Sequence, residues 1–242
     1  MRQERLRFYT IKNCHLDSFL QTKEMRRVDL TEKSWLELDT IPYELLEYGQ
    51  DNFEELFALH PEERGQVILN KQETIVIDSP RYHKSYGQTP PYDPIKKHSY
   101  MFTGLNNQDQ RNDPLPALFQ PFLDFVNENN PTPYNQVVVN WYANGEDYIA
   151  CHSDCDDGMV DGYDIASITL MGRARFCEER TMKFKPVGNS AKFDSFSLGL
   201  KNGLLLRMCG NTQKEFKHSI PPRYEIVGDM RRIGITFRKF KV

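Results

Sequence analysis

Apolar and polar residues alternate in short runs through the second half of the chain, and Gly, Pro, Asn or Asp separate the runs. Stretches 136–142, 149–154, 165–170, 174–178, 182–184, 195–198, 204–208, 215–219 and 233–240 carry a period of two, the spacing of half-buried strands. So many short strands with Gly and Pro turns predict a mainly β (α+β) sandwich or barrel and not a parallel α/β sheet. Asn144-Gly145, between the first two runs, predicts a hairpin, because that dipeptide accepts the left-handed backbone of a tight turn. Earlier in the chain the pattern is mixed. A strand is expected over 35–41 and stops at Pro42. A helix over 53–60, capped by Asp51 or Asn52, carries the apolar stripe Phe53, Leu56 and Phe57. Two short strands at 67–69 and 74–77 flank the polar tip 70–73, and a loop follows over 79–88. Tyr100 and Phe102 share one face of a short strand at 99–104. A second helix, 113–129, buries Leu118, Phe122, Phe125 and Val126 and is kinked or split at Pro121.

With 242 residues the chain can bury a real core, and the pattern reads as one large domain at 65–242. Residues 1–64 are expected to pack on it as an N-terminal extension, with a basic, solvated start and a short strand near residues 6–11. Charged residues make up 27% and aromatics 12%, which excludes long disorder. No apolar run is long enough to span a membrane, and the first residues lack a signal-peptide core, so an intracellular monomer in nucleus or cytoplasm is expected. The five cysteines show no paired zinc spacing and read as reduced thiols. A net charge of −3 supplies no global pull toward nucleic acid, so any such contact must come from a local basic patch.

Such a patch is present in Ser79-Pro-Arg-Tyr-His-Lys-Ser-Tyr-Gly-Gln, where Arg81, His83 and Lys84 alternate with Tyr82 and Tyr86. Cations can meet phosphates while rings stack on bases, although snorkelling surface side chains produce the same pattern. A second candidate is His152-x-Asp154. Two residues apart on a strand, an imidazole and a carboxylate share a face and can occupy adjacent positions on a divalent metal. His-x-Asp alone is common on surfaces. The third candidate is the last strand, in which Arg232, Gly234, Thr236 and Arg238 share one face and Ile233, Ile235 and Phe237 the other. Arginines on the inner face of a core strand need carboxylate partners, and a bound dicarboxylic acid beside a metal would satisfy both. His218, in a later strand, is the best-placed third ligand, since the remaining histidines all precede the His-x-Asp pair.

These elements in this order resemble the AlkB family of Fe(II)- and 2-oxoglutarate-dependent nucleic-acid dealkylases. The motifs are Asn140-x-Tyr142, Gly145-x-Asp-x-Ile149, His152-x-Asp154, Lys217-His-Ser-Ile-Pro221 and Arg232-x-Gly-x-Thr-Phe-Arg238, with Pro80-Arg-x-x-x-Ser-Tyr-Gly87 and Tyr100-x-Phe-Thr-Gly104 upstream. The resemblance spans roughly residues 65–241. It implies a double-stranded β-helix, or jelly roll, with flanking helices and a nucleotide-recognition lid at 66–104. Iron would sit on His152, Asp154 and His218. Arg232, helped by Tyr142, would meet the distal carboxylate of 2-oxoglutarate, Arg238 with Asn140 its metal-chelating end, and Thr236 would lie on the same face. Arg81, Lys84, Tyr86, Tyr100, Phe102, Asp156 and Arg175 would contact an alkylated base or its strand. Gly234 stands where relatives often carry Asn. The implied chemistry consumes O2 and 2-oxoglutarate and hydroxylates an N-alkyl group, whose hemiaminal collapses to free base and aldehyde.

The competing reading is an enzyme of the same superfamily acting on a protein or small molecule, which the mild net charge favours and the basic-aromatic stretch opposes. Single-stranded nucleic acid is the expected partner, because the tip at 70–73 offers no apolar wedge to fill the gap left by a base flipped out of a duplex.

Overall fold

The computed structural model describes residues 25–68, 76–87, 113–128, 130–154, 158–172, 180–188, 195–225 and 230–241. In chain order the strands and helices are β1 (Arg26–Asp29), β2 (Ser34–Thr40), α1 (Tyr43–Asp51), α2 (Phe53–Ala58), β3 (Gln66–Ile68), β4 (Val76–Asp78), β5 (Tyr82–Gly87), α3 (Gln120–Asn127), β6 (Gln136–Tyr142), β7 (Ile149–His152), β8 (Ile165–Met171), β9 (Arg180–Pro186), β10 (Phe196–Leu200), β11 (Leu204–Gly210), α4 (Thr212–Glu215), β12 (Phe216–Ile220) and β13 (Arg232–Arg238). The strands form a seven-stranded sheet in the order β1-β2-β11-β8-β13-β6-β5, a four-stranded sheet in the order β10-β9-β12-β7, and the separate pair β3-β4. None of the described helices is long and apolar enough to cross a membrane.

Alternation along each strand divides the core in two. Val137, Val139, Trp141, Ile233, Ile235 and Phe237 point to one side of the large sheet, where they pack with Phe53, Leu56, Phe119 and Phe122 from the helices. Val138, Tyr142, Ile165 and Met208 point to the other side and meet Met182, Phe184, Phe216 and Ile220 of the small sheet. The helices are held closely: Trp141 donates its indole N–H to the Leu56 carbonyl at 2.9 Å. At Gly49 of α1, a side-chain carbon would lie 3.1 Å from Leu170. Residues ahead of 65 join the sheet itself, since β2 pairs with β11 from Gly210↔Ser34 to Leu204↔Thr40.

Several expectations change here. The stretch 79–88, read as loop, contains β5, which pairs with β6 from Tyr82↔Trp141 to Gly87↔Gln136. Helix α1 was not expected. Its Leu45, Leu46 and Tyr48 pack on the outer core directly after Pro42. The second helix is shorter than expected, with a 3-10 turn at Ala117–Phe119 before α3 and Pro121 in the first turn, where its missing N–H costs nothing. The hairpin at Asn144-Gly145 does not form, because β6 and β7 belong to different sheets. Gly145 is not among the positive-φ glycines, so the left-handed turn that motivated the expectation is absent. Asn144 instead accepts from the backbone N–H of Glu146 and Asp147 at 2.9 and 3.2 Å, which turns the chain into a corner that passes from one sheet to the other. The expected strands at 6–11 and 174–178, and the tip at 70–73, lie outside the described residues.

Candidate metal centre between the two sheets

The inner face of the small sheet brings His152 of β7 opposite His218 of β12, as direct register partners. Their ring centroids are 4.4 Å apart. Asp154 lies just past the end of β7, with its Oδ1 3.4 Å from His152 Nε2. One donor atom from each of the three lies within 4.8 Å of the others. The backbone prepares these donors. His152 Nδ1 lies 2.8 Å from the Ala150 carbonyl oxygen, so Nδ1 carries the proton and the lone pair is left on Nε2. The Asp154 backbone N–H donates to Gln213 Oε1 at 2.9 Å, and Ser153 Oγ donates to the Phe216 carbonyl at 3.1 Å, which fixes the turn to β12.

Electrostatics sets the protonation states. Burial alone would raise the Asp154 carboxyl, but the Arg238 guanidinium at 3.0 Å, with help from His152 and His218, holds it well below the usual carboxylate range. Burial lowers His218 to about 4, and only Asp154 acts in the other direction, so the ring is neutral at physiological pH. Two imidazoles and one carboxylate form the donor set of a facial triad, which suits a divalent non-heme iron.

The facing surface comes from β6 and β13 of the large sheet. Arg232↔Tyr142, Gly234↔Asn140 and Thr236↔Val138 are paired, so Asn140, Tyr142, Arg232 and Thr236 share the inter-sheet face with Arg238. Arg232 is 2% exposed; its Nη2 donates to Thr169 Oγ1 at 3.1 Å, and its guanidinium lies 4.8 Å from the Tyr142 ring centre. Among the described residues, Nε and Nη1 of Arg232 have no partner. The arginine folds back over Gly234, where an added Cβ would meet Nη2 at 3.3 Å, so glycine makes room for the guanidinium. A second buried arginine, Arg180 of β9, lies 5.7 Å from the same Tyr142 ring, and its pKa is lowered first by burial and then by Arg232. Unsatisfied N–H groups on a buried cation beside another cation call for an anion, and a carboxylate matches the fork.

The expected residues of the basic-aromatic stretch divide. Arg81 does not face solvent; it is 7% exposed, and its Nε donates to Asn140 Oδ1 at 2.7 Å. Lys84 pairs with Asp113 at 2.8 Å. Tyr86 is 3% exposed within the outer core and, like Lys84, is in register with β6 residues of the helix-covered face. The expected loop is replaced by strand β5, whose alternation turns Lys84 and Tyr86 to the side of the large sheet opposite His152. Tyr100, Phe102, Asp156 and Arg175 lie outside the described residues.

Four contributors were not read from the sequence. Thr169, Gln213 and the Ala150 carbonyl have no local signature. Arg180 does, since it falls in phase with Met182 and Phe184, and a charge on the apolar beat of a strand signals a buried ion. It donates to the carbonyls of Asp147, Pro221 and Asn144 at 2.6, 2.8 and 3.2 Å and so pins the corner leading into β7.

Comparison with known proteins agrees with this geometry. "DNA oxidative demethylase ALKBH2" of Bos taurus is 28% identical over 160 residues, 66% of this chain and 53% of that protein. "Alpha-ketoglutarate-dependent dioxygenase alkB homolog 3" of Rattus norvegicus is 25% identical over 167 residues, 69% of this chain and 52% of that protein. The chain thus spans about half the length of these curated relatives. A solved structure described as "The structure of OsALKBH1" superposes with a TM-score of 0.50 at 14% identity, covering 88% of this chain and all of that one, which bears out the jelly-roll fold. A model of the 2OG-Fe(II) oxygenase superfamily matches residues 50–238, and the chain belongs to that superfamily, with the AlkB proteins among its relatives.

Proposed function

We propose that this chain is an Fe(II)- and 2-oxoglutarate-dependent dioxygenase that removes N-alkyl groups from nucleic-acid bases. The observation that carries the reading is the position of His152, Asp154 and His218 directly across from two buried arginines, one of which keeps unpartnered N–H groups. Fe(II), 2-oxoglutarate and O2 are the working set of the superfamily, and the donor set fits it. In this reading the three residues hold iron, whose chemistry with O2 and 2-oxoglutarate oxidises the alkyl carbon. Arg232 receives the distal carboxylate and Tyr142 flanks it. Asn140 and Arg238 orient the chelating end, with Thr236 on the same wall. Oxygen inserted into the N-alkyl C–H bond leaves a hemiaminal, and the N–C bond then breaks to give free base and aldehyde.

The names of the relatives support DNA as the substrate. Tyr100, Phe102, Asp156 and Arg175 remain the proposed base contacts, and we take nucleus or cytoplasm as the compartment, a monomer as the working form and single-stranded nucleic acid as the favoured partner. The test is incubation of iron-loaded protein with 2-oxoglutarate and a panel of methylated DNA and RNA oligonucleotides, read by mass. Loss of the methyl mass with stoichiometric succinate is expected. Succinate without demethylation on any oligonucleotide would move the substrate to a protein or small molecule.

A further inference from the structure

The side-chain amide of Asn140 has two possible orientations, and which atom faces the cosubstrate decides whether it can donate a hydrogen bond to it. A guanidinium has donors only. Because Arg81 Nε approaches Asn140 at 2.7 Å, the atom that faces it must be the oxygen, Oδ1, and the amide nitrogen Nδ2 is turned to the opposite side of the planar group. Arg81 has a defined place from which to do this. It immediately precedes β5, whose His83 is the register partner of Asn140, and its own carbonyl accepts from the buried Ser79 hydroxyl at 2.8 Å. On the other flank, Asn140 is opposite Gly234 of β13, over which Arg232 folds, so no β-carbon at 234 crowds that side. The amide is therefore set between Arg81, which dictates its orientation, and the part of β13 where the Arg232 guanidinium lies over Gly234.

We infer that Arg81 is a positioning residue for the oxidation: it locks the Asn140 amide with Nδ2–H directed at the metal-chelating end of 2-oxoglutarate, and it acts on turnover through Asn140. The inference rests on the reading given under Proposed function. It replaces the expected phosphate contact of Arg81 with a role on the cosubstrate side of the site.

The test is calorimetric binding of 2-oxoglutarate to Mn(II)-loaded protein without O2, with wild type, Arg81→Ala, Arg81→Lys, Asn140→Asp, Asn140→Ala and the Arg81→Ala/Asn140→Ala pair. Loss of one hydrogen bond to a charged acceptor weakens binding roughly tenfold or more, so Arg81→Ala is expected to bind 2-oxoglutarate about tenfold more weakly, with Mn(II) affinity unchanged. Arg81→Lys, also a donor only, recovers part of the loss. Asn140→Asp pairs with Arg81 and keeps the melting temperature, yet loses the N–H and binds as poorly as Arg81→Ala. The double variant binds no worse than Asn140→Ala alone. In turnover assays the change appears in KM for 2-oxoglutarate and not in KM for the oligonucleotide. Wild-type 2-oxoglutarate affinity in Arg81→Ala, or additive losses in the double variant, would overturn the inference while leaving the proposed function standing. Absence of 2-oxoglutarate binding to the wild type would overturn both.

Discussion

At the scale of single residues, each metal-facing side chain is prepared by a different neighbour, and the preparation differs in its cost. Asp154 is buried against Arg238 at 3.0 Å, so Asp154→Ala leaves a buried guanidinium short of its carboxylate and should cost about 3 kcal/mol of stability besides metal binding. His152 is about a third exposed, at 29%, and His152→Ala should lose metal with little change in the urea midpoint. Measuring metal affinity and denaturation for both variants checks the contrast; equal stability losses would contradict it. Arg232→Lys keeps the charge but not the fork, and should raise the 2-oxoglutarate concentration needed for half-maximal succinate formation about tenfold or more. Equal succinate yield at limiting cosubstrate would remove Arg232 from the carboxylate site. His83 allows a pH prediction away from the metal ligands. Burial first, and then Arg81, lowers it from 6.5 to about 4 in the folded protein. Between those values the unfolded chain binds the extra proton, so stability is full above pH 6.5 and falls as pH drops toward 4. At pH 5 the loss from this one group is on the order of 1–2 kcal/mol, and His83→Gln should show a shallower decline between pH 7 and pH 5 in urea titrations.

At the scale of elements, the corner from β6 to β7 governs where His152 stands. A β-carbon on Gly145 would lie 2.3 Å from the Arg223 carbonyl oxygen, a backbone atom that cannot simply turn aside. Arg223 also donates its N–H to the Gly145 carbonyl at 2.7 Å. Gly145→Ala should therefore lower the melting temperature and weaken metal binding together, because β7 shifts with the corner. Weakened metal affinity is likewise expected for Arg180→Met, which loses three carbonyl contacts. Normal metal binding in both would mean that β7 is positioned by β12 alone. Most elements were legible because period-two alternation is a local property: the bounds of β6 match the expected stretch, and the inner and outer faces of β13 fall as the pattern indicated. The His152-x-Asp154 pair was legible from its spacing and His218 from its place in a later strand, although β7 ends at His152 and Asp154 lies just beyond it. What was not legible was which sheet each strand joins. Asn144-Gly145 is compatible with a hairpin or a corner, and the choice is made by Asp147, whose carboxylate accepts from Ala143 N–H and Arg64 at 2.6 Å each. Arg64 is remote in the chain. Lys84 and Tyr86 were misplaced because an alternating polar-aromatic strand resembles a polar loop.

At the scale of the whole molecule, two sheets enclose the site and the charge balance bears on the partner. With a net charge of −3, little electrostatic energy is available to offset unstacking a base from duplex, which costs a few kcal/mol. Asn70-Lys-Gln-Glu supplies no apolar wedge, although that tip lies outside the described residues. Faster demethylation of a lesion in single-stranded than in duplex oligonucleotide is the expected outcome, with a difference of about tenfold or more from unstacking alone. A duplex rate equal to or above the single-strand rate would assign the wedge to a residue other than those of the tip.

The direct opposition of His152 and His218 also affects the sheet that carries them. β7 is an edge strand of four residues, held to β12 by a register that shifts between His218 and Ile220. A metal ion shared by the two histidines would rivet that short edge to its neighbour, adding to few backbone hydrogen bonds a bond that does not fray. Loading the site should slow amide hydrogen exchange along β7 far more than along β6. Without the metal, the side of the strand that pairs with no other strand among the described residues is a place where a protease, or a strand of another chain, can take hold.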